Sequence, residues 1–227
     1  MAHIGLMCPT ASGHLNPMTT LGYELHQRGH RVNLVGTPDA QTKTEAAGLE
    51  FLAIGKSKFP PGSMKKSLSE LGELSGTEAL RFTVELFKQV TSVVLDEAPT
   101  TIQQAGIELL LIDQTSFGAS SVAERLKLPF ISVCCALMIN REASIPPINV
   151  PWKYSPAWWA QLRNQAGYKL IDKLAKPIVD VQADYRQQWN LPVLKSANLA
   201  FSPLAQLSQQ PPEFEYPRKA LPDCFKI

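Results

Sequence analysis

The first 55 residues alternate between two hydrophobic periods, and that alternation restricts the fold more than any other feature of the chain. "HIGLMCP" is a short apolar run stopped by Pro9. A helical stretch begins at Pro17, "PMTTLGYELHQRG", in which Met18, Leu21 and Leu25 share one face and Gly29 closes the helix. "HRVNLVG", "DAQTKTEAAG" and "LEFLAIG" then read as strand, helix and strand. Strands joined through helices pair in parallel with right-handed crossovers, so the opening predicts a parallel sheet flanked by helices.

The pattern continues downstream. Residues 56 to 75 are polar and carry Pro60, Pro61 and Gly62, which predicts a long loop with at most one short helix. "TEALRFTVELFKQVTSVVLDEAPTTIQQAG" is helical, with Pro99 starting a separate helix. "IELLLID" and "LPFISVCC" are nearly uniform in apolar character, as strands covered on both faces are, and "FGASSVAERLK" forms the helix between them. A stretch rich in proline and tryptophan, "IPPINVPWKYSPAWWAQ", precedes two helices at about 157 to 173 and 177 to 189 and a last strand at "ANLAFS". The proline-rich tail "QQPPEFEYPRKALPDCFKI" reads as the approach to a linker. The fold class is α/β, Rossmann-like.

A sheet covered on both sides needs a large apolar complement, and 44% hydrophobic residues in a chain of 227 supply it. A net charge of +2 on 22 basic and 20 acidic side chains leaves no basic stripe for a nucleic-acid backbone, so no nucleic-acid partner is expected. The start lacks the basic and apolar regions of a signal peptide, and no apolar run approaches the ~20 residues of a membrane span, which predicts a cytoplasmic location. Cys8, Cys134, Cys135 and Cys224 form no CxxC pair and are expected as buried free thiols, and His3, His14, His26 and His30 include no HExxH. No metal site is expected.

Ligands of an open parallel sheet collect beyond the carboxyl ends of its strands. "PTASGHLNP" follows the first strand and "LLLID" ends another at that same edge, which makes His14 and Asp113 candidate neighbours. A neutral imidazole can take a proton from a hydroxyl near neutral pH, and a carboxylate on its other nitrogen fixes the tautomer and stabilises the imidazolium. Taken singly, His14 also reads as a turn residue and Asp113 as a helix cap. Other cofactor loops fail: "GKS" at 55 to 57 has Glu50 where a P-loop needs its first glycine, and neither GxGxxG nor GxSxG occurs.

The stretch from "HIGLMCPTASGHLNP" to "AGLEFLAIG", with its GHxxP loop, its "RGH" helix end and its "GTPD" strand end, resembles the opening of the family 1 glycosyltransferases. "LLLIDQTSFGASSVAERLKLPFISV" and "EYPRKALPDCF" resemble later segments of the same family. The resemblance implies a GT-B enzyme of two facing Rossmann-like domains. Residues 1 to 227 would be the single N-terminal acceptor-binding domain, and the C-terminal nucleotide-sugar domain would be absent from the chain.

By the same resemblance His14 is the general base and Asp113 its partner, in a single displacement that inverts the anomeric centre. It needs no metal and no tightly bound cofactor. The donor co-substrate would be a nucleotide sugar, UDP-glucose, and the acceptor a lipophilic small molecule with a hydroxyl, such as a carotenoid, sterol or polyketide. Ser12 and Gly13 lie in the His14 loop, and Phe59, Phe82, Phe87, Met138, Trp152, Trp158 and Trp159 are candidate acceptor-pocket walls or domain core. Trp158 and Trp159 beside Lys153 and Arg163 also suit peripheral contact with a membrane surface. Without donor contacts the isolated chain is expected to be inactive. A non-catalytic small-molecule binding module and a nucleotide-dependent oxidoreductase on the same sheet type remain alternatives.

Overall fold

The computed structural model describes residues 1–226. Its centre is a sheet of seven parallel strands, β1 (His3–Met7), β2 (Arg31–Gly36), β3 (Glu50–Ala53), β4 (Leu109–Asp113), β5 (Phe130–Cys134), β6 (Gln206–Ser208) and β7 (Phe225–Lys226), in the order β3-β2-β1-β4-β5-β6-β7. From β1 the chain builds outward to β3 and then returns to add β4 to β7 on the other side. The connections after β1 and β4 therefore diverge, and a crevice opens between their carboxyl ends.

Successive side chains of the central strands enter opposite cores, which is why these strands read as unbroken apolar runs. Met7, Val35, Leu110 and Ile112 pack on one side with Val93, Leu95, Ala98 and Ile102 of α4 (Gly76–Ala105) and Val122 of α5 (Ala119–Leu126). Leu6, Leu34, Leu111 and Val133 pack on the other with Leu15 and Met18 of α1 (Ser12–Gln27). Gly22 permits the close approach of α1, since a Cβ there would lie 2.6 Å from Leu6 Cδ1 and 2.8 Å from Leu49 Cδ1. Gly29 ends α1 as expected: at φ +86° its N–H bonds the His26 carbonyl, while His30 N–H reaches that of Leu25.

Several elements differ from the sequence expectation. α1 begins at Ser12 rather than Pro17, because the Ala11 carbonyl accepts from His14 and Leu15 N–H and Pro17 forfeits only a bond near the exposed helix start. The 56 to 75 segment, by contrast, agrees with the expectation of a loop with one short helix: it contains α3 (Ser63–Glu73), whose first turn is capped by Asp39, 23 positions before Gly62, through bonds from Gly62 and Lys65 N–H. Pro99 does not start a helix. It lies inside α4, whose buried Leu95, Ala98 and Ile102 hold the helix on the sheet across the lost hydrogen bond.

The helices expected at 157 to 173 and 177 to 189 are one, α6 (Trp158–Gln188), with Pro177 inside it and a Lys176–Asp180 ion pair bridging the break. "ANLAFS" forms a 3-10 turn, Ala197–Ala200, because Asn198 spends its side-chain amide on both backbone groups of Arg141; the strand comes later, at β6. The tail is folded onto the domain rather than extended as a linker approach. Glu215 and Arg218 are buried as an ion pair, and β7 closes the sheet edge.

Candidate active site

His14 is the third residue of α1 and Asp113 the last of β4, so the two elements that border the crevice each contribute one group. His14 Nδ1 lies 2.8 Å from Asp113 Oδ2. The other carboxylate oxygen accepts from the Thr115 backbone N–H at 2.7 Å and from the Thr115 hydroxyl, and the Cys135 thiol also hydrogen-bonds to Asp113. These bonds fix the carboxylate plane and point Oδ2 at the imidazole. The Asp113 side chain is 1% exposed and that of His14 24%, so the pair presents its histidine outward and its carboxylate inward.

Burial works to raise the Asp113 pKa, but hydrogen bonds from His14, Cys135 and Thr115 outweigh it and hold the carboxyl below its ordinary 3.8. The bond to Asp113 lifts the His14 pKa above its ordinary 6.5, against the opposing effect of burial. An ionised carboxylate on Nδ1 keeps the proton there and leaves the Nε2 lone pair free, the arrangement a general base requires. Burial, and then the Asp113 charge, push the Cys8 and Cys135 thiols well above their usual range, so both stay protonated beside the carboxylate.

The residues bring His14, Asp113 and Cys135 together with one donor atom each within 4.8 Å of one another, a spacing close enough to hold a metal ion. Nothing in the linear spacing signalled that cluster.

An apolar cleft of about 830 Å³, its open mouth included, runs from the β1 end beneath α3 and α4. Met7, Cys8, Thr10, Val35, Ile54, Met64, Leu86, Phe87, Val90 and Phe117 form most of its wall, and Thr115 belongs to it as well. Thr115 Oγ1 is 3.4 Å from His14 Nδ1, which sets the cleft beside the His–Asp pair. Phe87 and Phe117 meet edge to face with centroids 5.4 Å apart.

The other candidate walls lie elsewhere. Phe59 is 4% exposed and packs in the core with Val93 and Met64, and half-buried Phe82 is not in the cleft lining. Met138 is fully buried, with its backbone bound by Glu215 and Arg218. Trp152 packs on Gly167 of α6, and Trp158 is 74% exposed on the outside of that helix. Ser12 and Gly13 are exposed at the α1 start, where Ser12 Oγ accepts from Lys43 Nζ at 2.7 Å. Thr115, Phe117, Met64 and Leu86 escaped the sequence reading. For Thr115 the D-x-T spacing of a side-chain-capped turn was the available signal.

No family model matches the chain. It is 32% identical over 225 residues to a zeaxanthin glucosyltransferase of Pantoea ananas, an alignment covering 99% of this chain and 52% of the relative. A zeaxanthin glucosyltransferase of Pseudescherichia vulneris is 31% identical over 226 residues, 99% of this chain and 53% of that one. The chain thus spans about half the length of the curated relatives it matches. Among solved structures, the calicheamicin glycosyltransferase CalG4 superposes with a TM-score of 0.66 at 17% identity, over 99% of this chain and 51% of that one. The glycotransferase of kitacinnamycin gives 0.63 at 15% identity, over 91% and 45%. A sequence relationship that runs the length of the chain makes it similar to about one half of each of these glycosyltransferases, and the parallel sheet gives it the Rossmann-like fold of one half of the GT-B structures.

Proposed function

We propose that residues 1 to 227 are the acceptor-binding part of an inverting glycosyltransferase that moves glucose from UDP-glucose to a hydroxyl of a lipophilic small molecule of the carotenoid, sterol or polyketide class. The observation that carries the reading is the 2.8 Å contact of His14 Nδ1 with the buried Asp113 carboxylate, beside an apolar cleft. In the proposed reaction His14 Nε2 takes the acceptor's hydroxyl proton. The oxygen forms a bond to the anomeric carbon as the bond from that carbon to the nucleoside diphosphate breaks, and configuration inverts. Asp113 stabilises the imidazolium that results. The acceptor's apolar body lies in the cleft against Phe87, Val90 and Phe117.

Donor contacts and leaving-group stabilisation are assigned to a second domain, so the chain alone is expected to be inactive. No tightly bound cofactor and no metal enter the scheme. The relatives named for zeaxanthin support the glucosyl donor and the lipophilic acceptor.

Calorimetric titration of the 227-residue chain with UDP, UDP-glucose and a lipophilic alcohol such as zeaxanthin tests the division of labour. Acceptor binding without nucleotide binding is the expected result, and tight nucleotide binding would refute it. In a polypeptide that also carries the donor half, His14→Ala should lower turnover by ~10²-fold or more. Near-normal turnover would remove His14 from the reaction.

A further inference from the structure

The first turns of α6 carry a set of large apolar side chains that remain largely exposed. Trp158 is 74% exposed, Trp159 50%, Leu162 57%, Leu170 56% and Leu174 37%. Trp158 and Leu162 sit on the side of the helix opposite Ala160, Asn164 and Gly167, which are buried against the domain, and Trp159 and Leu170 lie on one flank of that outer side, whereas Leu174, seven residues after Gly167, falls back toward the packed side. A tryptophan three-quarters exposed, with a second tryptophan and two exposed leucines on the same and the adjoining part of the helix surface, is more apolar surface than scattered exposure accounts for.

The same outer side carries Lys169 and Lys173, with Arg163 at its margin. Between Trp158 and Val179 the sole acidic residue of the helix is Asp172, whose carboxylate is taken by Arg141. Trp159 is also held in place. The Arg163 guanidinium lies 5.0 Å from the centroid of Trp152 and 5.5 Å from that of Trp159, and it donates to the Lys153 carbonyl at 3.0 Å. Ordering Trp159 therefore costs little on contact.

We propose that this outer face of α6 lies against an anionic lipid bilayer, with Trp158, Trp159, Leu162 and Leu170 entering the headgroup–acyl boundary and Lys169 and Lys173 meeting the headgroups. Indole rings and leucines interleaved with basic side chains, with no free carboxylate among them, are the chemistry of an interfacial helix. A second copy of the chain fits less well, because a two-fold contact through this face would oppose Lys169, Lys173 and Arg163 to their own like charges. Among the described residues no helix is long and apolar enough to cross a membrane, so the contact is one of surface adsorption. It depends on α6 alone and stands or falls independently of glycosyl transfer.

The test is co-sedimentation of the 227-residue chain with vesicles of mixed phosphatidylglycerol and phosphatidylcholine, and with phosphatidylcholine alone, while tryptophan emission is recorded. Binding to the anionic vesicles with a blue shift, weakened by salt, is the expected result. Lys169→Gln with Lys173→Gln should lower the partition coefficient about 30-fold, at roughly 1 kcal/mol per basic side chain near an anionic surface. Trp158→Glu with Leu170→Glu should abolish binding. All four positions are exposed, and an unchanged thermal unfolding curve verifies that each variant is folded. Absence of binding, equal binding by the variants, or equal binding to neutral vesicles overturns the proposal. So does self-association in solution that the Trp158 and Leu170 changes remove without any vesicle binding.

Discussion

Asp113→Asn is the substitution that most directly probes the proposed base, because it keeps the shape of the site and changes only what His14 sees. The carboxylate now accepts at Oδ2 from His14 and at Oδ1 from the Thr115 backbone and hydroxyl. Thr115 N–H can only donate, so in the variant the asparagine must place its carbonyl oxygen there. Its NH₂ group then faces His14 Nδ1. A donor at that position makes Nδ1 the acceptor and transfers the imidazole proton to Nε2, so the nitrogen directed outward loses its lone pair.

The expected loss of turnover in a polypeptide carrying the donor half is about 10²- to 10⁴-fold, equivalent to roughly 3 to 5.5 kcal/mol in the barrier, with acceptor affinity unchanged. The tautomer can be read in the isolated chain from imidazole ¹⁵N shifts, with His14→Gln identifying the signal. Wild type should show a protonated Nδ1 that titrates above 6.5, and the variant a protonated Nε2 that titrates nearer 6.5.

Stability should follow the same groups. The raised His14 pKa contributes stability that is complete below about pH 6.5 and fades as pH rises through the folded value. The lowered Asp113 pKa contributes stability that is complete above about pH 3.8 and fades as pH falls through the folded value. The stability gap between wild type and Asp113→Asn should therefore be widest between about pH 4 and 6.5. An unchanged tautomer together with undiminished turnover would refute the assignment of both residues.

Phe59 and Phe87 should separate core from cleft. Phe59→Ala is expected to cost about 3 to 5 kcal/mol in urea unfolding with acceptor affinity retained, whereas Phe87→Ala should weaken acceptor binding in calorimetry at a smaller cost in stability. Arg186 is 1% exposed and donates to both Glu124 oxygens, to Ser121 Oγ and to the Pro192 carbonyl, so Arg186→Met should destabilise the chain by about 2 to 4 kcal/mol; a melt within 0.5 kcal/mol of wild type would show the network to be energetically idle. Gly118 sits at φ +87° with Leu95 Cγ 3.1 Å from where a Cβ would be, and Gly118→Ala should cost about 1 to 3 kcal/mol by the same measurement.

The sequence made His14 and Asp113 legible for a topological reason. Alternating periods imply a parallel sheet, a parallel sheet gathers its strand ends at one edge, and both residues follow or end a strand. Cys135 needs more than that. Its place beside Asp113 depends on the register that pairs Asp113 with Val133, which no local pattern encodes. Phe59 and Phe87 are alike in composition, and only the packing of the segment before α3 against α4 decides which one faces the core. Pro99 and Pro177 misled for the opposite reason: proline is a strong local breaker, but the buried turns around Pro99, and buried Ile178 with the Lys176–Asp180 pair around Pro177, offset one lost hydrogen bond.

Burial of the tail bears on the site as well as on the fold. Arg218 and Glu215 are 2% and 5% exposed, and a desolvated ion pair persists only where its remaining polar atoms are satisfied. Here Arg218 donates to the Met138 and Asn140 carbonyls, and Glu215 accepts from Met138 N–H, so the pair is anchored on the chain just beyond β5. Asn140 in turn accepts from Gln114 and donates to Gln206 of β6. Gln114 follows Asp113 directly, and its side chain also receives Ile139 N–H. The residue before Gln114 thus faces the imidazole while Gln114 ties the same strand end to the tail. This is why Met138, an apolar residue near the site by sequence, is consumed by the frame that holds β4 and β5 together and leaves the cleft wall to α3 and α4.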